Sequence, residues 1–167
     1  MGWLSWCLAL FSHAEGAVTC RTPSCRCVPP RKAVAHGAGC DILRSVKTVA
    51  ILGASGDRAK FGNKAVRAFR QCGYAVYPIN PNLNSVEGIA TFSSINDVPV
   101  RTDLVSVYLP PSVLFKILPE IAAKGCGELW LNPGTDSPDV LAEACRLNLK
   151  VVRTCSLVAI GVSPADF

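Results

Sequence analysis

From residue 46 onwards, short apolar runs alternate with segments that carry apolar residues at helical spacing, and this alternation restricts the fold most. The first run, 46–52, is rich in β-branched residues and ends at Gly53. The segment 63–70 then has the spacing of an amphipathic helix. Parallel strands need crossover connections, and helices usually supply them. The alternation therefore predicts an α/β domain built on a mostly parallel sheet.

The rest of the chain repeats this pattern. The strand runs are almost continuously apolar, which is typical of strands buried on both faces of a sheet. We therefore predict a single doubly wound, Rossmann-like domain over residues 45–167. Pro119 falls inside one predicted helix and predicts a bend or a restart there. Further strands are expected at 74–79, 104–108, 128–131 and 149–153, and further helices at 113–124 and 138–147.

Residues 1–44 show no sustained period and are predicted to form an irregular, cysteine-rich N-terminal extension outside the fold. The apolar run 3–11 follows no Lys or Arg, which argues against a secretory signal, and it is too short to cross a bilayer. The C-x4-C-x-C spacing of Cys20, Cys25 and Cys27 lacks the repeated pairs of a closed zinc site. An organelle-targeting peptide, a disordered tail and translated sequence ahead of the native start all stay open.

The charge of the predicted domain is nearly balanced. The whole chain has 17 Lys+Arg and 12 Asp+Glu, a net charge of +5, but residues 45–167 hold twelve basic and ten acidic groups, a net charge of +2. This balance favours neither a nucleic acid nor a membrane as a partner. The domain's cysteines are isolated and lie mostly in apolar patterns, so we expect reduced thiols, most of them in the core, and a cytoplasmic protein. These cysteines are Cys72, Cys126, Cys145 and Cys155.

Glycines and polar residues follow the first predicted strand. Gly53 and Gly56 bracket a turn that leads to a helix start, where free backbone N–H groups and the helix dipole favour a phosphate. Ser55 adds a hydroxyl donor, and Arg58 and Lys60 add positive charge. Because ligands of doubly wound sheets bind beyond the carboxyl ends of the strands, this turn is a candidate phosphate site. A turn that needs glycine only for its backbone shape is the alternative.

The end of the second predicted strand indicates which nucleotide fits. Folds that bind NAD place an Asp or Glu there to accept hydrogen bonds from the ribose hydroxyls. This chain has Asn80-Pro81-Asn82 and no acid. A phosphorylated ribose or another adenine nucleotide is therefore favoured over NAD, unless these residues form only a polar turn.

Taken in order, these motifs resemble the CoA-binding domain family. The family includes small stand-alone proteins and the N-terminal domain of the succinyl-CoA synthetase alpha subunit and of related acyl-CoA synthetases. The resemblance covers roughly residues 45–160 and starts only after the extension. The segments that carry it are 49–55, 60–64, 73–81, Gly88 and 105–111.

The resemblance implies that coenzyme A or acyl-CoA binds here. Its pyrophosphate and phosphorylated ribose would contact the loop after the first predicted strand, and its adenine would lie near 80–82. Its pantetheine arm would pass the ends of the predicted strands 104–108 and 128–131. The family often has a basic residue directly after the Asn-Pro pair, where this chain has Asn82, which leaves Arg58, Lys60 and Lys64 as the phosphate cations. The implied binding residues are Gly53, Ala54, Ser55, Asp57, Arg58, Lys60, Asn80, Pro81, Asn82, Leu109, Pro110 and Asn132.

An acyl-CoA synthetase also needs a phosphorylatable histidine, and the histidines here, His13 and His36, both lie in the extension. The sequence has no P-loop, serine-hydrolase elbow or zinc-protease motif. Cys155 is the one nucleophile expected near the ligand. A buried inert thiol is its ordinary role, and a mixed disulfide with CoA or a redox role is the alternative. We expect a CoA-binding protein without catalysis of its own, acting alone or with a protein partner. The alternatives are an NAD(P)-dependent oxidoreductase or redox-sensing nucleotide-binding domain, and a domain whose pocket is vestigial.

Overall fold

The computed structural model describes residues 46–167, so the predicted extension lies outside the described residues. The described part is an α/β domain with a five-stranded sheet in which every neighbouring pair of strands is parallel. This architecture confirms the predicted doubly wound, Rossmann-like fold class. In chain order the elements are β1 (Thr48–Leu52), α1 (Phe61–Gln71), β2 (Ala75–Ile79), β3 (Ser85–Val86), β4 (Ile89–Ala90), β5 (Thr102–Val107), α2 (Pro111–Lys124), β6 (Cys126–Leu131), α3 (Pro138–Arg146), β7 (Val151–Arg153) and α4 (Ser156–Ala159).

The strand order of the main sheet is β2-β1-β5-β6-β7. The chain builds β2 on one side of β1 and then crosses back to place β5 on the other side. Leu52, the last residue of β1, consequently pairs with Ile79 on one side and with Val107 on the other. The loops that follow β1 and β5 diverge at this reversal of strand order, which is where open α/β sheets form a ligand crevice.

Helices cover both faces of the sheet, as the continuous apolar strands predict. Successive side chains of a strand point to opposite faces, so alternate residues of β1 enter two different cores. One core lies under α1 and α4, and the other under α2 and α3. The first includes Val49, Ile51, Val66, Phe69 and Leu157, and the second includes Ala50, Leu52, Leu114, Leu118, Leu129 and Val140.

Several boundaries differ from the sequence expectation, and two of these differences have a clear physical cause. The helix α2 starts earlier than expected and continues through Pro119 without a restart. Pro119 and the residue four positions before it, Phe115, are both exposed, so the carbonyl that loses its N–H partner lies on the solvent side of the helix. The strand β7 is shorter than expected because the N–H of Leu149 still donates to the Ala144 carbonyl at the end of α3. Neither the short β3–β4 hairpin nor α4 is among the elements expected from the sequence.

The four cysteines in the described region are free thiols, and their burial varies. Cys72 is exposed next to the end of α1 and is the exception to the core placement expected for most of the four. The other three are half-buried, and burial raises the pKa of Cys126 to about 11. Within residues 46–167, no helix is long and apolar enough to span a membrane.

A polar pair closes the amino edge of the sheet between β1 and β5. The Asp103 carboxylate accepts hydrogen bonds from the backbone N–H of Thr48 at 2.8 Å and from its hydroxyl at 2.9 Å. The Thr48 hydroxyl in turn accepts from the Asp103 N–H at 2.9 Å. The hydrogen bonds from Thr48 lower the pKa of Asp103 in the folded protein.

We predict that Asp103→Asn lowers the free energy of unfolding at pH 7 and that this difference from the wild type shrinks in acid. A lowered folded-state pKa contributes stability that is complete above the unfolded value of about 3.9 and is lost as the pH falls through the folded value. Urea unfolding between pH 7 and pH 3 measures the effect. A difference that stays constant across this range would contradict it.

Candidate functional site

The loop 53–60 joins β1 to α1 at the carboxyl edge of the sheet, and two glycines set its course. Gly53 has a φ of 84°, and a Cβ there would lie 2.9 Å from the Tyr108 carbonyl oxygen of the neighbouring strand end. A Cβ on Gly62, in the first turn of α1, would overlap the Gly53 carbonyl oxygen. The start of the helix therefore touches the end of the strand through backbone atoms alone.

Side chains of the loop hold its turn. The Ser55 hydroxyl oxygen accepts a hydrogen bond from the Asp57 N–H at 3.1 Å, and the Asp57 carboxylate accepts from the Ala59 N–H at 2.9 Å. The Asp57 carboxylate is thus part of the turn itself. A hydroxyl that accepts one hydrogen bond still carries a proton to donate, so Ser55 can serve a ligand oxygen as well.

The start of α1 suits an anion. Lys60 is the N-cap residue, and no side chain among residues 46–167 caps it. The first turn, Phe61-Gly62-Asn63, contains no acid. Backbone N–H groups and the positive end of the helix dipole are therefore directed at the loop, with Arg58 and Lys60 exposed beside them.

Asn63 is a site residue that the sequence reasoning missed, and it is fully buried. Its amide N–H groups donate to the Ser55 carbonyl at 2.8 Å and to the Glu87 carboxylate at 3.1 Å. Its amide oxygen accepts from Nε of Arg67 at 2.9 Å. In the sequence, Asn63 lies three residues before Val66 and therefore on the apolar face of the predicted helix. This position could have indicated that its amide is buried.

Glu87 was also missed. It lies with Gly88 in the two-residue turn between β3 and β4, and its side chain reaches back to the first loop. Its carboxylate oxygen lies 3.5 Å from Nε of Arg58. Because the strands of this hairpin have two residues each, no period in the sequence reveals them.

The residues after β2 brace the first loop. The Asn80 amide donates to the Ala54 carbonyl at 2.7 Å, and its oxygen accepts from the Asn82 N–H at 2.9 Å. Asn80 thereby joins two neighbouring loops at the same edge. Pro81 and Asn82 are exposed at the rim of the sheet.

The predicted residues after β5 and β6 are placed differently from one another. Half-buried Leu109 lies beside Gly53, and exposed Pro110 is the N-cap residue of α2. Buried Asn132 donates to the Val107 carbonyl at 2.9 Å and accepts from the Ser156 N–H at 2.8 Å. The Asn132 amide thus joins β5, β6 and α4, and its contact with a ligand stays a prediction.

Lys64, one of the three cations expected to meet phosphate, has a protein partner. Its ammonium group donates to the Pro164 carbonyl at 2.8 Å, near the end of the chain. Arg67, one turn further along α1, lies over the Phe167 ring at 5.5 Å. Basic residues of α1 therefore hold the C-terminal segment.

Tyr108, Trp130 and Cys155 pack against the core under α1. Burial raises the pKa of the Tyr108 hydroxyl, and the neighbouring Ser106 and Ser156 hydroxyls partly offset this rise. Tyr108 is therefore neutral at pH 7. Cys155 is the N-cap residue of α4 and is half-buried.

A separate open groove of about 680 Å³ lies between α2 and α3. None of the twelve predicted binding residues lines it. Its walls are helix side chains, among them Phe115, Lys116, Asp139, Glu143 and Arg146. The groove is thus distinct from the crevice between the loops that follow β1 and β5.

Comparison with known proteins assigns the chain to a family. The family model described as a CoA binding domain matches residues 47–161. The chain therefore belongs to the CoA-binding domain family, as its motifs predict.

Individual relatives agree with this assignment. The chain is 35% identical over 79 residues to the ADP-forming acetate-CoA ligase of Methanocaldococcus jannaschii. The match covers 47% of this chain and 11% of that protein. A solved protein from Thermus thermophilus has a TM-score of 0.64 and 32% identity, covering 68% of this chain and 87% of that one. A conserved hypothetical protein from Pyrococcus furiosus has a TM-score of 0.64 and 27% identity, and the match covers 67% of this chain and 97% of that one. The chain matches between 11% and 19% of the length of the archaeal acetate-CoA ligase chains.

We predict that Gly62→Ala destabilises the domain by about 1–3 kcal/mol or more, because the added methyl group displaces the Gly53 carbonyl. The matched control is Gly56→Ala, where the nearest atom to a new Cβ is a Leu83 methyl carbon at 3.9 Å. Urea unfolding of the two variants measures the contrast. Equal losses of stability would contradict a backbone contact at Gly62.

Proposed function

We propose that this chain binds coenzyme A or acyl-CoA in the crevice beyond the carboxyl ends of β1, β2 and β5, and that it performs no catalysis of its own. The observation that carries the proposal is the loop 53–60. It presents backbone N–H groups and a cation-flanked helix start at the reversal of strand order, in a chain of the CoA-binding domain family.

The first loop is suited to the pyrophosphate. Ala54 and Ser55 bring backbone and hydroxyl donors to one edge, whereas the Gly53 N–H already donates to the Ile79 carbonyl at 3.2 Å. The nearest atom to a Cβ on Gly56 would be a Leu83 methyl carbon at 3.9 Å. A diphosphate carries its charge on several oxygens, which several N–H groups can bind together. Asp57 contributes by shaping the turn, because its carboxylate is already bonded to the Ala59 N–H.

The ribose end favours a phosphorylated sugar. The segment after β2 supplies amides rather than an acid, and Asn80 braces Ala54. Arg58 and Lys60 are exposed cations on the loop 53–60, which Asn80 joins to this segment. Pro81 and Asn82 then lie where the adenine would rest on the rim.

The pantetheine arm would leave along the loop after β5. Half-buried Leu109 and exposed Pro110 offer an apolar surface beside Gly53. Asn132 lies deeper and shapes this wall through its hydrogen bonds to β5 and α4.

The absence of catalysis is inferred from what the crevice offers. Cys155, which follows β7, is half-buried against the core. The raised pKa of Tyr108 keeps its hydroxyl neutral at pH 7. The relatives named as ligases are several times longer than the matched region. We infer that the chain carries CoA, or presents it to a protein partner that performs chemistry.

We predict that the purified chain binds CoA at least about tenfold more tightly than NADH, because no carboxylate follows β2 to hold the free ribose diol of NADH. NADPH, whose ribose carries a phosphate as that of CoA does, is the stricter competitor. Isothermal titration with CoA, acetyl-CoA, NADH and NADPH measures this, and thermal unfolding gives an independent readout. Tight binding of NADPH with no binding of CoA would support an oxidoreductase or redox sensor instead. No binding or stabilisation by any of the four would indicate a vestigial pocket.

We predict that Arg58→Glu weakens binding of CoA by about tenfold or more and binding of dephospho-CoA by much less, because a charge-assisted hydrogen bond to the ribose phosphate is lost. Arg101→Glu, the same charge change before β5 at the amino edge, is the control and leaves both affinities near wild type. Equal losses for both ligands would remove Arg58 from the ribose phosphate.

A further inference from the structure

The carboxylate of Glu87 is built into the wall of the proposed site. Glu87 has a φ of 50°, in a hairpin turn where Gly or Asn is the usual residue. Asn63 donates to its carboxylate, and Arg70 donates to its backbone carbonyl at 3.2 Å. Its side chain is 21% exposed. The side chain is thus held in place although the backbone conformation costs energy for a residue with a Cβ.

Arg58 faces this carboxylate from the phosphate loop. The Arg58 carbonyl accepts from Arg67 at 3.0 Å, which fixes the backbone of the loop at this point. The Arg58 side chain is 67% exposed, and its Nε lies 3.5 Å from a carboxylate oxygen of Glu87. The backbone is therefore anchored, while the charged end of the side chain can turn from the hairpin towards the crevice.

We propose that Glu87 sets the affinity of the site by competing with the ligand phosphate for Arg58. The inference rests on the proposed function and adds a regulating residue to it. In the unliganded protein Arg58 pairs with Glu87. A phosphomonoester carries nearly two negative charges and displaces the single carboxylate, so Arg58 exchanges one anion for the other on binding. A ligand without that phosphate leaves the ion pair intact.

This exchange has a functional consequence. Breaking the ion pair opposes binding, because the contact between Arg58 and Glu87 is lost when Arg58 turns to the phosphate. Changes of this kind appear mainly in the dissociation rate. Glu87 thus weakens the hold on the phosphorylated ligand and speeds its release, which suits a protein that passes its ligand on.

The test is Glu87→Gln, which removes the charge and keeps an oxygen that can accept from Asn63. We expect CoA to bind about three- to tenfold more tightly than to the wild type, with a slower dissociation rate and with dephospho-CoA affinity unchanged. Glu120→Gln on α2 removes the same charge from a glutamate that contacts Ser94, and it leaves both affinities unchanged. Glu87→Asn keeps a residue that tolerates positive φ and should reproduce the gain if Gln disturbs the turn.

The double variant Arg58→Gln/Glu87→Gln separates this mechanism from simple repulsion. If Glu87 acts by holding Arg58, Glu87→Gln gains little once Arg58 is absent. The same gain in both backgrounds would overturn the proposal, as would unchanged CoA affinity in both Glu87→Gln and Glu87→Asn. A wild type that binds no CoA would instead refute the proposed function, so the two failures are distinguishable.

Discussion

The contact between the Gly53 carbonyl and Gly62 is the constraint on which the site depends. Because no side chain separates strand from helix there, α1 starts directly at the carboxyl edge of the sheet. This close approach brings Asn63 under the first loop, where a buried amide satisfies the Ser55 carbonyl and reaches the hairpin. A larger residue at Gly62 would move the helix start away from the edge, and with it the N–H groups of its first turn, whereas a side chain on Gly53 would meet the Tyr108 carbonyl.

The fold and most of the rim were predictable because both follow from local periodicity. Apolar runs identified the strands, and the carboxyl ends of parallel strands share one edge, so Gly53, Asn80 and Leu109 had to converge. Glu87 was not predictable, since its partners Arg58 and Asn63 are distant in sequence and the strands that carry it are too short for a pattern. The sequence predicted that Asn132 is a polar residue at the carboxyl edge of the sheet. Only the packed structure shows that its amide joins β5, β6 and α4.

Asparagine amides brace the loops of this edge. Asn63, Asn80 and Asn132 each donate to a backbone carbonyl at the end of a strand or in the loop after it. An amide has donors and an acceptor without net charge, so it can fix a loop without competing for an anionic ligand. Loops fixed before binding lose less conformational entropy when the ligand arrives.

The pair formed by Thr48 and Asp103 marks the rim where the described chain enters the domain. The strand β1 starts there and runs five residues to Gly53, a distance of about 16 Å at the usual rise of a strand. A fluorophore or purification handle joined just ahead of residue 46 would be attached on the far rim from the loop 53–60. A group attached there would leave the loop 53–60 unobstructed.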